Sequence, residues 1–517
     1  MKSILAPVAP LHLQTLRRPS GITKSPAFVP WWFVLIWLSA IALGENPSLF
    51  TDHGDVGTVK HAGSFEFDPG RGAYTVAGGG ANMWAAVDAF HFVWKKVSGD
   101  ATLAADISFE GTSGEPHRKA CLLIRQSLDA DSPYADAALH GDGLTSLQYR
   151  DVKGERTYEI QANVSAPKRL RIEKRGRYVS MWLAGADGEL HPAGGAFRLE
   201  LTEPFYIGLG VCAHNDEALE KAVFTNVELK TGALAPTGQS SFLSVLETVK
   251  IASKDRRAVW TTGDRVAAPV WSHDGAELVF HSGDRLQRIP VVGGEPRVID
   301  TGFVTHCGSD HGISPDGATL VFSGVSQAKD RPRIYTMPIG GGAPRLLTDV
   351  SVLNWHSWSP DGKTLAFDGE HNGEFGICTT PANGGAETRL TVGTALAGSP
   401  DYSADGQWIY FHSNRTGREQ IWRMHADGSG QEQVTNDEFH NAYPHPSPDG
   451  KWLVFLSAQT DFSSRHDPQD VTLRIMPLAG GKVEILAKLL GEQGTIPMPC
   501  WSPDSLRVAF VSDQPRP

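Results

Sequence analysis

Cysteine is scarce in this chain, and its placement argues against two common stabilising devices. Five cysteines stand among 517 residues, at positions 121, 212, 307, 378 and 500, and no two of them form a CxxC pair. This scatter and the odd number are atypical of a disulfide framework or a zinc site. We therefore expect the cysteines to be small, buried apolar residues.

Positive charge is not in excess either. Lys and Arg number 47 against 58 Asp and Glu, which gives a net charge of -11. Because binding of a phosphate backbone needs a basic surface, nucleic acid is excluded as a partner. The sequence also has no phosphate-binding loop and no motif that pairs a nucleophile with a base.

Long apolar runs are absent except near the N-terminus. Arg17, Arg18 and Lys24 precede the 13-residue run 31–43, and the small residues Ala42 and Gly44 take the -3 and -1 positions of a cleavage site. This order is typical of a signal peptide, which we assign to residues 1–44. An uncleaved membrane anchor is the alternative, because counting back to Pro26 lengthens the segment to 18 residues. We expect export to the periplasm or beyond, with membrane contact only through such an anchor.

What the chain does contain is a repeat built on an Asp-Gly turn. Successive turn aspartates are 42, 45, 44, 44 and 55 residues apart, and the six copies are Trp271–Gly275, Ile313–Gly317, Trp358–Gly362, Tyr402–Gly406, Pro446–Gly450 and Trp501–Ser505. Alternating strands follow each turn, and this period is typical of a four-stranded propeller blade. The last copy has only two strands, so we expect Leu246–Ile251 and Arg257–Thr261 to complete its blade. Residues 241–517 are therefore predicted to form a six-bladed β-propeller closed by strands from both ends of the segment.

The first half of the chain shows short strands at regular spacing, such as Ala120–Arg125, with turn residues between them. Helical periodicity of useful length is absent, so residues 46–232 are predicted to form a β-sandwich. Residues 233–240, rich in Ala, Pro, Thr and Gly, are predicted to be a linker. The expected fold class is thus all-β throughout.

Two family resemblances sharpen these predictions. The stretches HGISPDG, YPHPSPDGKWLVFLS and GTIPMPCWSPDS resemble the PD40 (WD40-like) repeats of the TolB-like propeller family. The run KACLLIRQSLDADSPYADAALHGDG, with PKRLRIEKRGRYVSMW after it, resembles the concanavalin-like jelly roll of the DUF1349 type. The second resemblance implies glycan chemistry, because relatives of that fold often bind or cleave glycans. The chain lacks the small N-terminal α/β domain of TolB itself, so a role in the Tol–Pal system is not implied.

Candidate site residues precede the turns, in the loops and inner strands that line a propeller channel. They are His306, His311, Asn354, His356, Asp401, His440, Tyr443 and His445. Neutral imidazoles that converge on one axis can hold a divalent metal ion, and His311, His356 and His445 are the candidate ligands. TolB-like relatives include metal-assisted lyases of pectic oligosaccharides with histidine-lined channels. Ordinary polar lining of a water-filled channel is the alternative.

Three functions remain open on these grounds. The absence of catalytic motifs favours an exported, non-catalytic binding protein, in which the sandwich recognises a glycan or cell-envelope ligand and the propeller binds a ligand or protein. The second is a carbohydrate-active lyase or hydrolase with a metal-assisted site in the propeller channel. The third is an envelope scaffold that binds another protein. No residue is assigned a catalytic role by sequence.

Overall fold

The computed structural model of the chain describes residues 47–111, 113–232, 242–326, 332–347, 354–371, 374–393, 395–462 and 468–516. These residues form strands and no helix, as the sequence predicts. Asn46–Pro517 group as one compact unit, and the sequence-based domain boundaries within it stay a prediction. The signal or anchor segment 1–44 and the linker 233–240 lie outside the described residues. Within the described ranges, no helix has the length and apolar character needed to cross a membrane.

The N-terminal half forms two sheets. Its strands are β1 (Asp52–Val56), β2 (Ser64–Asp68), β3 (Ala73–Gly78), β4 (Met83–Trp84), β5 (Val87–Asp88), β6 (Phe90–Val97), β7 (Ala101–Phe109), β8 (Lys119–Arg125), β9 (Tyr134–His140), β10 (Thr145–Arg150), β11 (Tyr158–Gln161), β12 (Arg169–Arg175), β13 (Tyr178–Ala184), β14 (Leu190–Pro192), β15 (Phe197–Arg198), β16 (Phe205–Cys212) and β17 (Glu220–Thr231). One sheet runs β1-β6-β16-β8-β9-β10-β11 and then continues into the C-terminal half. The other runs β14-β13-β12-β7-β17-β3-β2, with β15 also paired to β13.

Strand β8 shows how these two sheets pack. Leu122 and Ile124 join a large core that also takes in Leu170 and Ile172 of β12, in the opposite sheet. The alternate residue Leu123 packs into a second apolar cluster, because successive side chains point to opposite faces of a strand. Both faces of β8 are therefore buried, which explains its nearly continuous apolar sequence. The concanavalin-like classification of this half stays a prediction.

The C-terminal half contains the propeller. Its strands are β18 (Phe242–Lys250), β19 (Arg256–Thr262), β20 (Val266–Trp271), β21 (Glu277–Ser282), β22 (Arg285–Pro290), β23 (Arg297–Val298), β24 (Val304–Ile313), β25 (Thr319–Ser326), β26 (Arg333–Pro338), β27 (Arg345–Leu346), β28 (Asn354–Trp358), β29 (Thr364–His371), β30 (Glu374–Pro381), β31 (Thr388–Arg389), β32 (Ala397–Tyr402), β33 (Trp408–Ser413), β34 (Gln420–His425), β35 (Glu432–Gln433), β36 (His440–Pro446), β37 (Trp452–Ala458), β38 (Gln469–Pro477), β39 (Glu484–Gly491) and β40 (Arg507–Pro515). Each run of four from β20 to β39 forms a separate antiparallel sheet, which gives five blades.

The repeated turn has the same bonding in each blade. In the first copy, the Ser272 hydroxyl donates to the Asp274 carboxylate at 2.6 Å and accepts the backbone N–H of Glu277 at 2.9 Å. Asp274 also accepts the N–H of Ala276 at 3.0 Å, while Gly275 has φ of 71°. Glycine adopts this left-handed conformation without strain. The Ser-x-Asp-Gly motif therefore serves the turn, not chemistry.

The prediction of six blades is wrong, because the structure has five separate four-stranded sheets. As predicted, β18 pairs with β40 across the two ends of the segment, and β19 pairs with β18. However, the outer edge of β19 is not free, since it pairs in parallel with β11 at Ile160 and Arg256. These three strands thus end the ten-stranded sheet of the N-terminal half, and Trp501 adds only a single bridge to Val508. Strand β40 contacts both β20 and β39, so this end of the sheet fills the gap between the first and fifth blades.

Polar contacts also join the two halves at the fifth blade. Asp470 accepts hydrogen bonds from the Tyr178 hydroxyl at 2.6 Å and from Arg198 Nη1 at 3.0 Å. Lys488 of β39 forms an ion pair with Asp151. The shared sheet and these contacts fix the propeller to the N-terminal half.

Candidate functional site

A cavity of about 400 Å³ is lined by residues from all five blades and therefore lies at the centre of the ring. Its wall also includes Gln493, Gly494, Pro497 and Met498, from the segment that leads to Trp501. Several lining residues are ionisable: Arg265, His281, Asp310, His356, Asp368, His412, Glu419 and Tyr443. A concave site with a few convergent polar groups is the usual form of a ligand pocket.

Bulges in the innermost strands shape this cavity. The pairing register shifts in β20, β24, β28, β32 and β36, each time shortly before the repeated turn. Ala268, Ser399 and Tyr443 occupy equivalent places in three of these strands and have φ between 53° and 59°. Such a conformation is strained for residues other than glycine and is concentrated at functional sites. Here it directs Ser399 and Tyr443 to the cavity wall.

His356 and Asp368 form an ion pair in the wall. His356 Nε2 donates to Asp368 Oδ2 at 2.9 Å, and His356 Nδ1 lies 3.3 Å from the carbonyl oxygen of Pro497. Burial alone would lower the pKa of His356, but the Asp368 carboxylate, helped by Asp310, raises it above its usual value. Asp368 also accepts the backbone N–H of Ser399 at 3.0 Å. The pair joins the third blade to the fourth.

Asp310 is a second buried carboxylate at the cavity. It is 6% exposed and accepts the backbone N–H of Trp355 at 3.2 Å. Burial raises its pKa, although a hydrogen bond from Ser323 opposes the shift. The residue thus links the second and third blades while one side of it faces the cavity.

The fourth and fifth blades contribute a group of side chains with few internal partners. His412 is 8% exposed, and its Nδ1 has no hydrogen-bond partner among the described residues. Burial lowers the pKa of His412, so the ring is neutral at neutral pH. Its ring centre lies 5.8 Å from that of Tyr443. Glu419, which is 4% exposed, accepts the backbone N–H of Phe462 at 3.3 Å.

Comparison with known proteins places this ring in a family. The family profile described as the TolB beta propeller domain, PD40, matches residues 352–516. The uncharacterized protein Atu1656 of Agrobacterium fabrum (strain C58) is 43% identical over 272 residues, which are 52% of this chain and 92% of that protein. The chain belongs to the TolB-type β-propeller family.

One solved structure supports this assignment. A structure from Agrobacterium tumefaciens, provisionally named TolB, is 42% identical and covers 54% of this chain and 100% of its own, with a TM-score of 0.51. An oligogalacturonate lyase in complex with manganese covers 72% of this chain and 97% of its own at 13% identity, with a TM-score of 0.39. That second likeness is too low to carry an argument about activity.

The TolB-type ring brings only some of the sequence-predicted residues to the cavity. His356 and Tyr443 line it. His306 is exposed and lies 3.0 Å from the Thr305 hydroxyl, while His440 is half-buried with Nδ1 3.3 Å from Glu419 Oε2. Asn354 begins β28, where its backbone pairs with Asp368. The other three, His311, Asp401 and His445, are buried and do not line the cavity.

His311 and His356 occupy equivalent places in the repeat but have different surroundings. His356 is the extra residue of its bulge, because Trp355 pairs with Phe367 and Ser357 with Ala366. His311 instead pairs with Phe322, and its ring lies between the carbonyl oxygens of Val279 and Ser309 at 3.2 and 3.0 Å. Burial lowers the pKa of His311 to about 4. The position of the bulge therefore decides which histidine faces the cavity.

The proposed metal ligands do not form a metal-binding arrangement. His445 lies 2.9 Å from Asp401 Oδ2 and 2.8 Å from the carbonyl oxygen of Ile496, and both ring nitrogens of His311 and His356 also face oxygen atoms. A metal ion would have to displace these contacts. Across the described ranges, no group of three or more His, Cys, Asp or Glu is placed to hold a metal. The residues present therefore do not fit the divalent ion that the resemblance implies.

The sequence contained a signal for residues that our site prediction missed. Each second strand has Phe six residues after the turn Asp, and the residue after that Phe is His281, Ser323, Asp368, His412, Leu456 or Val511. Four of these six are polar, and His281, Asp368 and His412 line the cavity. A polar residue directly after the repeated Phe of an otherwise apolar strand is the pattern that would have identified them.

Proposed function

We propose that this chain is an exported, non-catalytic binding protein whose propeller cavity takes a small polar ligand. The observation that carries the proposal is the convergence of Asp368, His412, Glu419 and Tyr443 on one cavity of about 400 Å³. Imidazole, carboxylate and phenol groups are suited to the hydroxyl and amino groups of a carbohydrate. The volume suits one or two sugar rings, at the low end of the usual range of about 300–1,000 Å³ for ligand pockets.

The unpartnered nitrogen of His412 supports a ligand role more than a structural one. Buried polar atoms are nearly always hydrogen-bonded, because an unmade bond costs about 1–3 kcal/mol. A ligand hydroxyl or amine within the cavity would supply the missing partner. His311 differs, because both of its ring nitrogens lie within hydrogen-bond distance of a backbone carbonyl oxygen, as expected for a structural histidine.

We also propose that the N-terminal half binds a glycan or another cell-envelope ligand. Its support is the concanavalin-like resemblance together with the apolar run 31–43, which favours export. The shared sheet and the Asp470 contacts attach this half to the propeller as one body.

Binding of the purified full chain to a carbohydrate array tests this function. We expect binding of one carbohydrate class and a loss of part of that signal in His412→Leu, a substitution that we expect to leave the fold intact because His412 Nδ1 has no internal partner. His191→Ala, at an exposed site in the N-terminal half, serves as the matched control. If the full chain binds no carbohydrate on the array, the proposal of carbohydrate binding is contradicted.

A lyase or hydrolase acting in the same cavity is the second candidate. The observation that favours it is a neutral, buried His412 beside Tyr443, since a neutral imidazole can act as a general base. Turnover of oligosaccharides by the wild-type chain, lost in His412→Leu but kept in His191→Ala, would favour this activity over simple binding. Among the described residues, we identify no contact surface that supports the scaffold alternative.

A further inference from the structure

The charged groups around the propeller cavity do not balance. Asp310, Asp368 and Glu419 are carboxylates, while His356 is the one lining histidine whose pKa is raised. Burial lowers the pKa of both His281 and His412, so these rings are neutral at neutral pH. Arg265 is 60% exposed at its side chain and is bound to Glu492 at 2.7 Å. The cavity therefore has an excess of negative charge.

The three carboxylates differ in how many hydrogen bonds and ion pairs they receive from the protein. Asp368 is matched by His356 and by the N–H of Ser399. Asp310 accepts the N–H of Trp355 and a hydrogen bond from Ser323.

Glu419 is the least satisfied of the three. Its Oε2 accepts one hydrogen bond, from the N–H of Phe462 at 3.3 Å, and lies 3.3 Å from His440 Nδ1. No described residue donates a hydrogen bond to its Oε1, which is not fully enclosed although the side chain is only 5% exposed. Because little water reaches a carboxylate this buried, a donor, preferably a cation, would stabilise it.

His412 gives a second, independent indication of a ligand. His412 lines the same cavity, is more than nine-tenths buried, and has an unpartnered Nδ1. Glu419, His412 and Tyr443 all line this cavity, and the ring centres of His412 and Tyr443 lie 5.8 Å apart. A neutral ring nitrogen can accept a hydrogen bond, and a carboxylate accepts only. Together they suit a group with several N–H donors and a positive charge.

We propose that the ligand of the propeller cavity carries a primary ammonium group, as an amino sugar does, and that this group donates to Glu419 and His412. The inference rests on the proposed binding function and names the ligand class of that same cavity. The Tyr443 hydroxyl then faces the neighbouring hydroxyl groups of the ligand. Acidic sugars are disfavoured, because their carboxylates would meet Asp368 and Glu419 at close range.

Calorimetric titration of the full chain with three disaccharides tests this class. The probes are the glucosamine dimer, which is cationic, its N-acetylated form, which is neutral, and digalacturonate, which is anionic. We expect the cationic dimer to bind about tenfold more tightly than the neutral one, as one charge-assisted hydrogen bond predicts. Glu419→Gln should remove this preference, whereas Glu295→Gln, the same change at an exposed loop, should keep it.

Other outcomes separate the inference from the function on which it rests. If the neutral or the anionic disaccharide binds as tightly as the cationic one or more tightly, the ammonium assignment is overturned. The proposed binding function is then still supported. A cationic preference that persists in Glu419→Gln also overturns it. Failure of all three probes to bind at millimolar concentration overturns the assignment together with carbohydrate binding in this cavity.

Discussion

Arg256 donates two hydrogen bonds to Glu247, from Nε to Oε2 at 2.9 Å and from Nη2 to Oε1 at 2.6 Å, and neither side chain is more than 1% exposed. The Ser512 hydroxyl also donates to Glu247, and the guanidinium lies over the ring of Phe510 at 5.4 Å. The pair thus joins β18, β19 and β40. Because β19 also pairs with β11, the same two residues stand where the propeller meets the N-terminal half.

Replacing Arg256 with Met should destabilise the chain strongly. The substitution leaves the Glu247 carboxylate buried without its counter-ion, which costs about 3–5 kcal/mol. Urea unfolding followed by tryptophan fluorescence measures the change. The double variant Glu247→Leu/Arg256→Met removes both charges, so it should recover most of the loss. Equal destabilisation of the single and double variants would contradict this account, and Lys60→Met in an exposed ion pair should change little.

The His356–Asp368 pair should make stability depend on pH in a defined direction. The pKa of His356 is raised in the folded protein despite its burial, so the protonated ring stabilises the fold. That contribution is complete below the unfolded pKa of about 6.5 and is lost as the pH rises through the higher folded value. The difference in unfolding free energy between wild type and His356→Gln should therefore be larger at about pH 5.5 than at about pH 8.5.

Other histidines titrate in the opposite direction, so the comparison needs the variant and not the wild type alone. Burial lowers the pKa of His281, His311 and His412, and each of these costs stability when it is protonated at low pH. Subtracting the His356→Gln curve removes their shared effect. A difference that is constant, or that grows toward high pH, would contradict a charged His356 in the folded protein.

Local patterns in the sequence predicted the repeat, while the blade count depended on contacts distant in sequence. The Ser-x-Asp turn forms six times, with Gly next in five copies and Ser505 in the sixth, because all its bonds lie within five residues. Strands β18, β19 and β40 do not form a separate blade, because β19 also pairs with β11, at Ile160 and Arg256. No periodicity near either residue signals a pairing across nearly a hundred positions, and β11 has only four residues.

The cavity could be located from sequence more readily than its individual side chains. Of the eight candidate residues before the turns, His356 and Tyr443 line the cavity. His311 does not, because the bulge in β24 falls before it and not on it. A bulge shifts by one residue with small changes in packing, so a repeat alignment alone does not fix which side chain faces inward.

All five cysteines should resist modification in the folded protein. Each is buried and free, as the sequence analysis expected. Burial raises the pKa of the Cys212 and Cys378 thiols to about 11 and raises the pKa of Cys121 and Cys500 still more. Since the thiolate is the reactive form, we expect no reaction with a disulfide reagent at pH 8 until guanidinium exposes all five thiols. Rapid labelling of one thiol in the native protein would contradict this burial.

His311 and His412 should respond in opposite ways to the same substitution, although both are buried histidines of the propeller. His311→Leu removes the N–H that the neutral ring donates to the carbonyl of Val279 or Ser309, so we expect a loss of about 1–3 kcal/mol in unfolding free energy and unchanged affinity for the cationic disaccharide. His412→Leu removes a ring whose Nδ1 has no partner, so stability should change by less than about 1 kcal/mol while affinity falls about threefold to tenfold. Urea unfolding and calorimetry on both variants give the four numbers required. If His412→Leu lost stability but kept its affinity, His412 would be a structural residue, and the unpartnered nitrogen would no longer mark a ligand position.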